Sequence, residues 1–226
     1  MCTLNYGYET YPLYKFFRTY FIPTIKNYSE RINSDFVLLD DSGSKYYGTW
    51  NQLKCFDLLE KYDRVLYFDG DCFIPKNFNI NFFDKVEYGK IGTEISNQNN
   101  SICRYAFFVM LIDRENKKYF SNFNVSLEKQ KELNNKNINN YCNTKKYYPQ
   151  HKCFFTKEEC YVNQIIVNNN LHNKIVDLGN YFTFHTYNNY SIFHVSAQTL
   201  SSQNKTDGGA MLEFFFKLKL YEEKNS

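Results

Sequence analysis

In Arg64-Val-Leu-Tyr-Phe68 four apolar side chains follow the arginine at consecutive positions, and the run stops at Asp69-Gly70-Asp71. A strand with one face in water alternates apolar and polar residues, so an unbroken run of this length predicts a strand covered on both faces. Alternate residues of an extended chain point to the same side, which aims Asp69 and Asp71 at one place about 6 to 7 Å apart along the chain. Two carboxylates sharing a site repel unless a cation lies between them. Gly70 has no side chain to obstruct a ligand approaching the backbone. In open α/β sheets ligands bind beyond the carboxyl ends of the strands, where this triplet falls. An Asp-x-Asp triplet is also a common acidic turn, and the surrounding pattern decides between the two readings.

That surrounding pattern alternates strand and helix. Residues 1 to 6 read as a first strand ended by Gly7, and from Tyr11 the positions Leu13, Phe16, Phe17, Tyr20 and Phe21 recur at spacings of three and four, a helical stripe. Pro23 ends or kinks that helix, a second helical piece covers Ile25 to Ile32, and Asp35 to Asp40 is a compact apolar strand. A loop follows at Asp41 to Lys45, then a buried helix face at Trp50, Leu53, Phe56 and Leu59, which leads into the Arg64 run. Later strands are expected at Tyr105 to Ile112, Lys174 to Leu178 and Tyr190 to Val195. Glu158 to Leu171 is a helix with its stripe at Tyr161, Val162, Ile165 and Ile166, and Met211 to Tyr221 is an amphipathic helix. Lys117 to Tyr148 is a polar, partly helical insertion, expected to shape an acceptor side if the chain binds two substrates. The order predicts an α/β domain with a mixed, mainly parallel sheet flanked by helices, and no linker splits residues 1 to 226.

Composition narrows the function classes. The 226 residues carry 27 Lys and Arg against 24 Asp and Glu, a formal charge of only +3, too small and too dispersed for an electrostatically driven nucleic-acid binder. No window approaches the roughly 18 uninterrupted apolar residues of a membrane-spanning helix, and the N-terminus shows no secretory signal. Seven cysteines without a Cys-x-x-Cys pair suggest reduced thiols and a cytoplasmic protein, in the host cytoplasm if the source is viral. The abundance of Asn, with 21 Tyr and 22 Phe, reflects AT-rich coding of the sort seen in some large DNA viruses.

The segment Trp50-Asn-Gln-Leu-Lys-Cys-Phe-Asp-Leu-Leu-Glu-Lys-Tyr-Asp-Arg-Val-Leu-Tyr-Phe-Asp-Gly-Asp71 resembles the signature of nucleotide-sugar glycosyltransferases of the GT-A fold. It is most similar to the glycogenin and bacterial galactosyltransferase group, glycosyltransferase family 8, and to glycosyltransferase domains of large DNA viruses. In that pattern a helix with a leading lysine runs into a Tyr-Asp-Arg-Val strand ending in Asp-x-Asp. The first strand, the Tyr-Gly turn and the Asp-Phe-Val-Leu strand agree with it.

The resemblance implies metal-dependent transfer of a sugar from a nucleoside diphosphate sugar, a UDP-sugar foremost, to a glycan or glycoprotein acceptor, with retention of configuration. It implies that Asp69 and Asp71 hold a divalent cation, with His194 of Ile192-Phe-His194-Val as third ligand and Asp69 also near the ribose. A lone histidine on an apolar strand is otherwise a structural residue. Mixed carboxylate and imidazole ligation favours Mn2+ over Mg2+. Gln52 and Lys54 stand near the family's lysine position, Ser196 and Lys205 near its pyrophosphate-binding tail, and Tyr6 and Tyr11 near the base. Glu158 and Glu159 are the candidate catalytic carboxylates, although an acidic pair also suits a helix N-terminus without catalysis. The tail lacks the family's glycine and tryptophan, and Tyr105-Ala-Phe-Phe108 stands before Val-Met110 where the family has Asn-(Ser/Ala)-Gly. These departures keep open an inactive sugar-nucleotide or glycan-binding module. A metal-dependent nucleotidyltransferase also fits paired carboxylates, but the phosphate-binding loop it would need near the N-terminus is missing.

Overall fold

The computed structural model describes residues 1–5, 12–40, 45–95, 104–135, 157–183 and 190–195. The expected loop after Asp40, the insertion beyond residue 135, the helix at Met211 to Tyr221, and Tyr6, Tyr11, Ser196 and Lys205 lie wholly or largely outside them. In chain order the strands are β1 (Cys2–Asn5), β2 (Val37–Asp40), β3 (Arg64–Phe68), β4 (Cys72–Phe73) and β5 (Ile91–Ile95). They continue with β6 (Tyr105–Asp113), β7 (Ile175–Asp177), β8 (Phe182–Thr183) and β9 (Ile192–His194). Two compact units result: Met1–Tyr6, Asp35–Asp69 and Asn81–Asn180 form one, and Gly7–Ser34, Gly70–Ile80 and Tyr181–Ser226 form the other.

The first unit is a mixed α/β structure built on a six-stranded sheet in the order β2-β1-β3-β6-β5-β7. Strand β1 pairs in parallel with β2 and β3, and β5 with β7, whereas β6 is antiparallel to both its neighbours. The sheet is thus mainly parallel, as expected, with one reversed strand. All nine residues of β6 are buried, which accounts for its near-continuous apolar sequence.

One face of the sheet is covered by the segment Gly48–Glu60 and by the helix Lys157–Asn168. Trp50, Leu53, Phe56 and Leu59 are all buried, but the segment is one turn of α-helix, Lys54–Asp57, between 3₁₀ stretches at Gly48–Leu53 and Leu58–Glu60. Their spacing of three is the 3₁₀ repeat, which keeps every third side chain on one line, where an α-helix would rotate them off it. Val162 and Ile166 of the later helix are fully buried beneath the sheet, each worth about 1.5–3 kcal/mol of transfer free energy. On the opposite face Gly92 leaves room for its neighbours: a Cβ there would lie 2.8 Å from a Val86 methyl and 3.0 Å from one of Leu178.

Strands β5 and β6 fall out of register between Thr93, opposite Met110, and Glu94, opposite Ala106. The backbone that a regular partner would satisfy is held by side chains of the Lys157–Asn168 helix. Asn163 Oδ1 accepts from the Tyr105 amide (3.0 Å) and its Nδ2 donates to the Tyr105 carbonyl (2.7 Å). Glu159 accepts from the Phe107 amide at 3.0 Å.

The second unit holds the helices Pro12–Tyr20 and Ile22–Arg31 and a three-stranded sheet in the order β4-β9-β8. Pro23 does not end the helical run: it lies in the first turn of the second helix, where its missing N–H is no loss, and the break falls at Phe21. That helix fixes the chain around β4. Thr24 Oγ1 accepts from the Ile74 amide (3.0 Å), Tyr28 Oη donates to the Ile80 carbonyl (2.8 Å), and Arg31 donates to the Pro75 and Phe78 carbonyls (3.1 and 3.3 Å).

Cys2, Cys55 and Cys72 are buried thiols, but Cys160 is disulfide-bonded, a departure from the all-thiol reading. Among the described residues no helix is long and apolar enough to cross a membrane.

Candidate functional site

Strands β1, β2, β3, β5 and β7 all run the same way, so their carboxyl ends share one edge of the large sheet. Asp69 follows β3 at that edge. Its amide donates to the Phe108 carbonyl at 2.8 Å, which carries the β3–β6 pairing one residue beyond the strand. Its carboxylate accepts a 2.5 Å hydrogen bond from Tyr67 Oη. Tyr67 and Asp69 are two apart on an extended chain and face the same way. The Tyr67 ring is fully buried and stacked 5.3 Å from Phe107, so the hydroxyl has little freedom and fixes one carboxylate oxygen. Burial, then the charge of Asp69, push the Tyr67 hydroxyl well above its ordinary pKa, which keeps it a donor at any physiological pH.

Gly70 and Asp71 form the turn into β4 and belong to the second unit. The Asp71 carbonyl accepts from the Val195 amide at 3.2 Å, and β4 pairs antiparallel with β9 so that Cys72 stands opposite His194. The pairing brings His194 Nε2 to 3.3 Å from Asp71 Oδ1. His194 is 8% exposed, Cys72 fully buried, and ligand atoms of Asp71, Cys72 and His194 all lie within 4.8 Å of one another.

Asp71 Oδ1 is buried and accepts no hydrogen bond, even from the nearby imidazole. A buried carboxylate oxygen left in this way costs about 1–3 kcal/mol or more, because it has given up water without a donor in exchange. A cation would supply the missing positive partner. For bonds of about 2.0–2.2 Å from a metal to imidazole nitrogen and carboxylate oxygen, tetrahedral geometry puts the two donor atoms about 3.4 Å apart, close to the spacing found. The residues fit a divalent cation.

The remaining expected site residues are placed as follows. Gln52 is buried in the 3₁₀ stretch Gly48–Leu53, and Lys54, partly buried, opens the helical turn Lys54–Asp57. Glu158 is 1% exposed and accepts from Thr49 Oγ1 at 2.8 Å, while Glu159 holds the Phe107 amide. Both carboxylates therefore have structural duties in joining the helix to the rest of the first unit. Asp113 is likewise buried and caps the turn after β6 by accepting from the Asn116 amide at 3.2 Å. Two neighbours of the acidic triplet were missed by sequence reasoning. Tyr67 could have been found from its position two before Asp69 on a strand. Cys72 could not, because its proximity to His194 depends on a strand pairing between distant parts of the chain.

No protein-family model and no curated protein matches this chain. Among solved structures, it is similar to a glycosyltransferase involved in the glycosylation of the major capsid of PBCV-1, at 10% identity over 88% of this chain and 95% of that one, with a TM-score of 0.49. It is also similar to mouse xyloside xylosyltransferase 1 in its apo form (10% identity, 88% and 97% of the two chains, TM-score 0.44). A third is the glycosyltransferase GlyE of Streptococcus pneumoniae TIGR4 (16% identity, 69% and 34%, TM-score 0.36). At these identities no residue role is carried across from them.

Proposed function

We propose that the protein is a divalent-cation-dependent glycosyltransferase that moves a sugar from a nucleoside diphosphate sugar, a UDP-sugar foremost, to a glycan or protein acceptor. The observation that supports this reading is the 3.3 Å approach of His194 Nε2 to Asp71 Oδ1, with that oxygen buried and without a hydrogen bond. The family resemblance implies a late-strand histidine as a further ligand beside the Asp-x-Asp, and His194 on β9 stands next to Asp71.

Asp71 and His194 would hold the cation; a ligand role for Asp69 follows from the family resemblance alone. When bound, the cation, Mn2+ in preference to Mg2+, neutralises charge developing on the departing diphosphate. Tyr67 orients Asp69 by donating to one carboxylate oxygen. Lys54, at the head of its helical turn, is the cationic donor proposed for the phosphates. Retention of configuration follows from the family resemblance alone.

The test is release of free nucleoside diphosphate from a panel of sugar nucleotides, with and without Mn2+, with Asp71→Asn as control. Cation-dependent release from one donor, lost in the variant, supports the reading. Release of pyrophosphate instead would indicate nucleotidyl transfer, and tight donor binding without turnover on any acceptor would indicate a binding module.

A further inference from the structure

We propose that Asp71, Cys72 and His194 form a three-ligand site for a thiophilic divalent cation of the zinc, cobalt and cadmium class, with Cys72 as a thiolate ligand. The proposal shares with the reading above the premise that Asp71 and His194 face a cation, and it needs nothing of sugar transfer.

Three observations carry it. Cys72 and His194 are register partners on adjacent antiparallel strands, so their side chains emerge from the same face with Cβ atoms about 4.5–5.5 Å apart. Asp71 is in the turn before β4 and escapes the strict alternation that would send it to the opposite face, and its carboxylate turns toward the same pair. The three donor atoms lie within 4.8 Å of one another. A zinc-class ion with bonds of about 2.3 Å to sulfur and 2.0–2.2 Å to nitrogen and oxygen needs sulfur about 3.6 Å from the other donors, a closure of at most about 1.2 Å. Asp71 Oδ1, buried without a hydrogen bond, is the group this closure would satisfy.

The chemistry of the donor set then selects the metal. Thiolate with imidazole and a single carboxylate favours zinc-class ions, whereas Mg2+ asks for oxygen ligands and retained water. Binding forms the metal–sulfur bond as the thiol proton leaves to solvent. Three protein ligands leave a position open for an exogenous oxygen, as in catalytic rather than structural zinc sites. Cys72 and His194 are buried while the Asp71 side chain is 26% exposed, so entry is from the Asp71 side.

The experiment is titration of the metal-free full chain with Co2+, read by electronic absorption and without any sugar nucleotide. The wild type should show a thiolate-to-cobalt charge-transfer band in the near ultraviolet. Cys72→Ser and Cys72→Ala should lose the band and bind Co2+ more than about tenfold more weakly, since even an outer partner of a ligand is worth that much. Metal-free melting temperatures check that the variants fold. Zinc-edge X-ray absorption on the wild type needs no variant, and should show one sulfur at about 2.3 Å. Bound Co2+ without the band, a band that persists in both Cys72 variants, failure to bind Co2+, or a zinc shell of nitrogen and oxygen alone would each overturn the proposal. Manganese-dependent donor turnover in the same preparation would show the glycosyltransferase reading standing when this one fails, and its absence beside an intact band would show the reverse.

Discussion

Glu159 separates a structural from a catalytic carboxylate in one pair of substitutions. Its side chain accepts the Phe107 amide at 3.0 Å, and Phe107 is fully buried at the point where β6 leaves register with β5. Glu159→Gln keeps an acceptor oxygen in place and costs only the difference between a charged and a neutral hydrogen bond, about 1 kcal/mol. Glu159→Ala leaves the amide buried and unsatisfied, at about 1–3 kcal/mol. In a chain of this size each kcal/mol moves Tm by about 2–4 °C, so the alanine variant should melt about 2–12 °C low and the glutamine variant within about 4 °C of wild type. Nucleoside diphosphate release should survive in Glu159→Gln. A glutamine variant of native Tm whose turnover falls by 100-fold or more would refute the structural assignment and return Glu159 to the reacting centre, since general acid–base groups are worth about 10²–10⁴-fold.

Tyr67→Phe retains the ring stacked on Phe107 and removes only the hydroxyl on Asp69, so turnover or cation affinity should fall about 10–100-fold with the fold intact. A lowered Tm with unchanged cation dependence of turnover would make the hydroxyl merely structural. Gly92→Ala should destabilise by about 1–3 kcal/mol, because its Cβ would meet Val86 at 2.8 Å in a packed face; denaturant unfolding with an unchanged midpoint would show that the face yields. Burial pushes the Cys2 thiol from its ordinary value of 9.0 up to about 12, and the Cys55 thiol is also raised, first by burial and then by Cys2. A raised folded value means that the stability from keeping the Cys2 thiol neutral is complete below pH 9 and lost as pH rises toward 12, at up to about 1.4 kcal/mol per pH unit, and Cys55 acts in the same direction. Denaturant midpoints measured from pH 8 to 11 should therefore fall; a flat profile would contradict the burial of both thiols.

The elements legible in the sequence are those with a long local signal. The apolar runs at Arg64–Phe68 and Tyr105–Ile112 read as doubly covered strands because a strand buried on both faces has no polar positions to alternate. The stripe from Tyr161 to Ile166 read as a helix for its 3.6-residue period. Trp50, Leu53, Phe56 and Leu59 do line a buried face, but their period of three is itself the mark of 3₁₀ geometry. Strands β4 and β8 have two residues each, too few for any periodicity, and Gly92 and Glu94 disguise β5. The antiparallel sense of β6 left no local trace, because burial on both faces looks the same in either direction. At the site, the acidic triplet was visible because its parts are adjacent. The neighbours that give it chemistry, Cys72 beside His194 and the amide-holding duty of Glu159, depend on pairings between distant segments.

The central claim is that the acidic triplet binds a nucleoside diphosphate through a cation. Calorimetric titration of UDP into the protein tests it, in Mn2+, in chelator, and in Mn2+ with His194→Ala. The account predicts binding in Mn2+, its collapse in chelator, and marked weakening in the variant, which a cooperative metal-free melt shows to be folded although the loss of a buried imidazole lowers its Tm. Equal affinity for UDP in chelator and in Mn2+ would contradict it.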